Sequence, residues 1–132
     1  MGEKRDQYRE FCRTKKNLPV FLYDWWLDAV CGKDSWDIAI VRPDNEILAF
    51  MPFYSKKVLW FDIQILPQLT QFLGPWINYP ADLKDSNRAE YEKKMMNELI
   101  AQIPDCHFFD QNFHFSVTNW LPFYWKGYRQ TT

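Results

Sequence analysis

The chain has 132 residues, 47% hydrophobic and 25% charged, with sixteen Lys and Arg against seventeen Asp and Glu for a net charge of −1. That length is one ordinary domain with room for a real core, and the composition excludes a disordered chain. The balanced charge argues against a general nucleic-acid binder, which carries a strong basic excess. No apolar run approaches the roughly 20 residues that a membrane span needs. Met1-Gly2-Glu3-Lys4-Arg5-Asp6 leads into no apolar stretch, so no secretory signal is expected, and Asp6 stands where a lipid-anchor motif at Gly2 wants Ser or Thr. Cys12, Cys31 and Cys106 are odd in number, far apart and in no CxxC pair, which points to a reduced, cytoplasmic chain. The unusual numbers are aromatic: 7 Trp, 7 Tyr and 11 Phe make 19% of the chain, whereas Gly is scarce at four residues.

Residues 5–16 place Tyr8, Phe11 and Cys12 on one face at the spacing of a short amphipathic helix. Residues 23–31 predict a second helix with Trp25, Trp26, Ala29 and Val30 as its apolar stripe and Gly32 as its stop. The period then changes to two. Trp36, Ile38 and Ile40 alternate with Asp37, Ala39 and Val41 as a strand, and Pro43-Asp44-Asn45-Glu46 has turn chemistry. Residues 47–54 are the partner strand, in which Pro52 requires an edge or a bulge because it lacks an N–H. Ser55-Lys56-Lys57 reads as the next turn and 58–65 as a third strand, completing an antiparallel meander. Residues 67–80 contain three prolines, a Gly-Pro step and several large apolar groups, the composition of a segment that packs down rather than of a flexible linker. Asp85, Ser86 or Asn87 can cap a long helix over about 86–103, whose stripe is Tyr91, Met95, Leu99 and Ile103 widened by Met96 and Ile100, with Pro104 beyond it. A short strand over 106–109 and a short helical turn after Asn119, ended by Gly127, complete an α+β domain: a meander and the 86–103 rod in two layers.

The candidates for chemistry are few. Cys106, His107 and His114 with Asp105 or Asp110 lack the paired spacing of a zinc site and read as a buried thiol and two hydrogen-bonded or exposed imidazoles. None of the cysteines sits in a nucleophile signature, and packing accounts for them better. Neither GxGxxG nor GxxxxGK[ST] is present among Gly2, Gly32, Gly74 and Gly127, which excludes a Rossmann or P-loop enzyme. Asp62, on an otherwise apolar strand, faces either a cleft or solvent. Trp25, Trp26 and Trp60 sit at periodic positions suited to a core, whereas Trp76, Tyr79, Trp120 and Trp125 lie in irregular segments suited to lining a groove.

The order helix, helix, three-strand meander, ordered Pro/Gly segment, long helix and strand resembles the first part of a GNAT-type acyltransferase fold. More specifically, Trp26-Leu27-Asp28-Ala29-Val30-Cys31, Trp36-Asp37-Ile38-Ala39-Ile40 and Leu48-Ala49-Phe50-Met51-Pro52-Phe53-Tyr54 are similar to the opening of FemAB-like proteins. Leu66-Pro67-Gln68-Leu69-Thr70-Gln71-Phe72-Leu73-Gly74-Pro75-Trp76 and Asn119-Trp120-Leu121-Pro122-Phe123-Tyr124-Trp125-Lys126-Gly127-Tyr128 continue the likeness. The resemblance implies a partial GNAT fold, an antiparallel meander packed against helices, with residues 1–132 as an N-terminal half that stops before a second one. FemAB-like proteins have two such halves and transfer an aminoacyl group from charged tRNA to the amine of a peptidoglycan precursor; wider GNAT relatives transfer acetyl groups from coenzyme A. The Arg/Gln-x-x-Gly-x-Gly/Ala loop that holds the coenzyme A pyrophosphate is missing. This segment is therefore expected to bind no cofactor, the acetyl-CoA or aminoacyl-tRNA donor belonging to a complete two-half protein, and no catalytic residue carries over.

Two functional expectations follow. In the first, the chain is the N-terminal domain of such a transferase and supplies a wall of the groove for a small-molecule or peptide amine acceptor. Gln71, Gly74 and Trp76 would come from the ordered segment and Trp125, Lys126 and Tyr128 from the C-terminal one, with Lys126 meeting an acceptor phosphate or carboxylate and Trp76 stacking on it. The structural alternatives are Gly74-Pro75 as a turn, Trp76 and Trp125 as core and Lys126 as a solvated helix end. In the second, it is a non-catalytic interaction domain whose aromatic residues meet a protein partner, a C-terminal half or a second copy. A polar-lined groove between the ordered segment around Trp76 and the C-terminal segment would favour the first, and a flat apolar patch without a convergent polar cluster the second.

Overall fold

The computed structural model describes residues 2–130 of the chain. Helix α1 (Gly2–Thr14) buries Tyr8 and Cys12 and, beside them, the stem of Arg5. A 3₁₀ turn (Val20–Leu22) follows Pro19, and α2 (Asp24–Cys31) stops at Gly32, whose φ of 92° suits a residue without a β-carbon. Strands β1 (Trp36–Val41) and β2 (Ala49–Val58) pair antiparallel, from Trp36 opposite Tyr54 to Val41 opposite Ala49.

The β2–β3 turn is Leu59-Trp60, not Ser55-Lys56-Lys57. The latter residues lie inside β2, where Lys56 pairs with Ile63 and Lys57 with Asp62 of β3 (Phe61–Ile65). Exposed lysines are tolerated on the solvent side of a strand, so charge alone did not mark the reversal. Strand β4 (Trp76–Ile77) pairs with Phe50 and Ala49, on the same side of β2 as β3. The two are one interrupted partner of β2, with 66–75 as an excursion between them. Pro52 lies opposite Ile38 in unbroken register with β1 and faces that interruption on its other side, so it meets the local edge, not a bulge, that a residue without an N–H requires. Strand β5 (Phe108–Phe109) joins β3 in parallel, so the five-stranded sheet of this α+β chain is mostly antiparallel.

Helices cover the sheet on both faces, making three layers rather than two. On one side Trp36, Ile38, Ile40 and Phe50 meet Tyr8, Cys12, Leu22 and Leu27. On the other Ala39, Val41, Ala49, Met51 and Phe53 meet Met95, Met96, Leu99 and Ile100 of α3 (Asp85–Ile100) and Phe123 of α4 (Leu121–Trp125). The cause lies in β1: its second face carries Ala39 and Val41 as well as Asp37, and two apolar residues there need cover. On α2 it is Leu27 that enters the core. Trp25 is 56% exposed, Ala29 is exposed as well, and Trp26 is half-buried with its indole N–H on Thr70 Oγ1 at 3.0 Å. Trp60 is 84% exposed, so two of the three tryptophans at periodic positions lie outside the core. Helix α3 starts directly after Lys84 without a side-chain cap, and 101–103 turn away before Pro104.

Polar contacts tie the layers. Arg9 donates to both oxygens of Asp28 at 2.7 and 2.9 Å, and the Trp36 indole N–H donates to the same carboxylate at 3.0 Å, joining α1, α2 and β1. The Arg9 hydrogen bonds hold the Asp28 carboxyl below its ordinary range. At the free edge of β1 the Gln102 side chain acts as a substitute strand: its Oε1 accepts the Ile40 N–H at 3.0 Å and its Nε2 donates to the Ile40 carbonyl at 2.8 Å. Two satisfied backbone groups and a blocked edge result. Replacing Gln102 with Ala is expected to destabilise the fold by about 1–2 kcal/mol; urea denaturation followed by circular dichroism measures it, and an unchanged midpoint would contradict the assignment.

Candidate functional site

The 66–75 excursion is held by backbone and side-chain hydrogen bonds. The Leu73 N–H donates to the Asn112 carbonyl at 3.0 Å, the Gly74 N–H to Gln111 Oε1 at 3.0 Å, and Asn112 Nδ2 to the Gln71 carbonyl at 3.2 Å. Gly74 has a φ of 65°, and a β-carbon there would fall 2.5 Å from Cδ1 of Phe113 and 3.1 Å from its Cα. Position 74 therefore excludes any side chain on conformational and on steric grounds. This clamp delivers Trp76 to the start of β4, with the His114 ring 5.8 Å from its own.

Beside Trp76 lies a recess of about 210 Å³ whose walls include Tyr79, Arg88, Glu92, Met96 and Ser116. Its floor carries charge. Glu92 is 6% exposed, yet it projects from the apolar stripe of α3, one turn before Met96. A buried carboxylate needs partners. The Tyr79 hydroxyl donates to Glu92 Oε2 at 2.5 Å, Arg88 Nε lies 3.5 Å from the same oxygen, and Asn119 Nδ2 donates to Oε1 at 3.4 Å. The half-exposed Arg88 guanidinium stacks over the Tyr79 ring at 4.4 Å. Burial first, and then the hydrogen bond to Glu92, pushes the Tyr79 phenol up to about 12, so it remains a donor at neutral pH. At the opposite wall Ser116 Oγ lies 2.7 Å from His114 Nδ1. The arrangement offers an aromatic face, a buried carboxylate, a cation at the mouth and a hydroxyl–imidazole pair.

Of the six residues expected at a groove, Trp76 lines this recess and Gly74 sets its position. Gln71 is exposed and contributes its carbonyl to the clamp. The C-terminal three lie elsewhere: Trp125 is exposed with Lys93 Nζ 5.5 Å from its ring, Lys126 is exposed, and Tyr128 packs edge-on to Phe109 and Phe123. Residues 116–117 line the recess with Trp76 instead. Tyr79 joins Trp76 there, whereas Trp120 packs against Tyr124 at 5.6 Å. Sequence reasoning missed Glu92, Arg88 and Asn119. Glu92 had a legible signal, a carboxylate inside the apolar stripe of a helix; Asn119 had none, being remote in sequence.

His107 and His114 are engaged separately: His107 Nδ1 accepts the Asp62 N–H at 2.9 Å, and His114 meets Ser116. Among the described residues no three His, Cys, Asp or Glu side chains converge as a metal site. Burial pushes the Cys12 and Cys31 thiols up to about 12 and raises Cys106, so they carry little thiolate at neutral pH. Asp62 stands exposed, 3.8 Å from Lys57. No family model, curated protein or solved structure matches the chain.

Gly74→Ala is expected to destabilise the protein by about 2–4 kcal/mol, combining positive φ with the clash against Phe113; a thermal melt reads it, and a wild-type melting temperature would refute the clamp. Tyr79 makes stability alkali-sensitive. Its folded pKa lies above the ordinary 10.0, so its contribution is complete below pH 10 and is lost as pH rises through about 12. Denaturation series across that window are expected to fall more steeply for the wild type than for Tyr79→Phe, and parallel curves would refute the buried phenol–carboxylate bond.

Proposed function

We propose that the chain is the acceptor-side domain of a FemAB/GNAT-like acyl- or aminoacyltransferase and that the recess beside Trp76 receives the acceptor's amine. The observation that carries this reading is the buried Glu92 carboxylate on the recess floor, next to an aromatic face. An acceptor ammonium is a compact cation, and a carboxylate with an adjacent π-face is the complement that binds one. The half-exposed Arg88 is the counter-charge that such an ammonium would displace from Glu92, and the guanidinium freed at the mouth would meet a carboxylate or phosphate on the same acceptor.

Acyl transfer to an amine needs chiefly positioning and the removal of a proton. The ammonium first gives one proton to a base; the neutral amine nitrogen then attacks the donor's acyl carbon, the bond from that carbon to the donor's sulfur or ribose oxygen breaks, and a second proton from the nitrogen passes to the departing thiol or hydroxyl. On this reading Ser116 relays the first proton to His114, one hydroxyl away from the recess. The acyl donor, acetyl-CoA or aminoacyl-tRNA, would be held by a second GNAT-like half or a second copy, because this chain has no glycine loop for a pyrophosphate. Its site of action on this reading is the cytoplasm, and its three free cysteines fit a reducing compartment.

Isothermal titration with a lysine-containing tripeptide tests the assignment. Glu92→Gln keeps the shape and removes the charge, and it is expected to weaken binding about tenfold or more. Equal affinity for wild type and variant, or no binding to either, would remove the amine-acceptor reading.

A further inference from the structure

The β2–β3 hairpin ends in four consecutive apolar side chains that stand in solvent: Val58, Leu59, Trp60 and Phe61 are 43%, 75%, 84% and 51% exposed. Two-residue hairpin turns are ordinarily filled by Gly, Asn or Asp. Here the first turn residue is Leu59 with a φ of 57°, a conformation that a β-carbon disfavours. A bulky apolar residue thus occupies a position that favours a small polar one on conformational and on solvation grounds.

The surroundings extend the patch. Val58 pairs with Phe61, while Ile63 pairs with Lys56 on one side and with the half-exposed Phe108 of β5 on the other, so all of these share one sheet face. Cover over that face of β2 ends before the tip: Pro52 is buried, Tyr54 half-buried, Lys56 and Val58 exposed. Below the tip Lys56 makes no ion pair among the described residues, whereas Lys57 lies 3.8 Å from Asp62 and the exposed Asp105 leads into the neighbouring β5, so the unpaired ammonium on the patch face is that of Lys56.

We propose that this hairpin tip docks on an anionic membrane surface, with Leu59 and Trp60 inserted among the headgroups and Lys56 on the lipid charges. Tryptophan favours the water–hydrocarbon boundary, apolar neighbours gain by leaving water, and lysine at headgroup level is attracted to negative lipid. The shape agrees. A tip that projects beyond its covering helices suits a soft planar surface, whereas a protein partner would have to supply a matching pocket. This is docking at a surface, distinct from spanning, and none of the described helices is long and apolar enough to cross a membrane.

Co-sedimentation of the full chain with vesicles of phosphatidylcholine, alone or mixed with phosphatidylserine, tests the proposal. Binding is expected to the mixed vesicles, weaker to phosphatidylcholine alone, and lower in high salt. Leu59→Ser with Trp60→Ser is expected to reduce partitioning about tenfold or more, with unfolding midpoints close to wild type because both side chains stand in solvent. Lys56→Glu is expected to weaken binding to the anionic vesicles alone, and Glu92→Gln to leave it unchanged, which separates this surface from the recess. No binding of the wild type, or binding that the double variant leaves intact, would overturn the proposal. So would a wild-type dimer in gel filtration that the double variant turns into monomer without vesicle binding, since the tip would then belong to a second copy.

Discussion

The paired strands β1 and β2 carry apolar side chains on both faces, and neither face can be left in water. Burying each large apolar side chain contributes about 1.5–3 kcal/mol, so covering both faces outweighs any single polar contact in the molecule. That demand brings α1 and α2 to one face and α3 and α4 to the other. It also sets the rotation of α3. With Met95, Met96, Leu99 and Ile100 turned onto the sheet, the residue one turn earlier on the same stripe, Glu92, must face inward as well. The recess thus inherits its carboxylate from the way the core is covered.

Its walls depend on a break in the ladder. Between the stretch of β2 paired with β3 and the stretch paired with β4, Pro52 has no N–H to offer, and the neighbouring chain leaves the sheet for residues 66–75. Gly74 allows that excursion to return, since a β-carbon would collide with Phe113. The return places Trp76 and Tyr79 over α3, where Tyr79 reaches Glu92 and Arg88 stacks on its ring. The irregular segment is tied down at three points, where residues 111–112 bond the Leu73 and Gly74 N–H groups and the Gln71 carbonyl.

The recess and the hairpin tip depart from ordinary burial in opposite senses. Glu92 is a charge inside, held by three polar partners; Leu59 and Trp60 are large apolar groups outside, held by none. Stability alone favours neither arrangement, because a buried charge loses hydration and an exposed apolar cluster orders water. These are the two places where local rules and the fold disagree, and such disagreements are where function is sought.

Features governed by neighbours in the chain were legible in advance. Gly32 stops α2, residues 43–46 turn, residues 36–41 form a strand and Pro104 follows α3, because each follows from spacing and backbone chemistry within a few residues; 67–80 packs down only in part, burying 73–75 while Leu69 stands 80% exposed. Other features were not legible, because their causes lie far away along the chain. The lysines of 55–57 read as a turn until the pairing of Lys56 with Ile63 carries β2 onward. Trp25 and Trp60 read as core until Leu27 and the extent of helix cover leave them in water. Trp76 lines a recess whose other walls include 116–117 and not 125–128, and Asn119 reaches Glu92 from 27 residues away. Periodicity and turn chemistry report what a segment prefers locally; which segments meet is settled by the packing of distant apolar faces, and a one-dimensional pattern does not contain that choice.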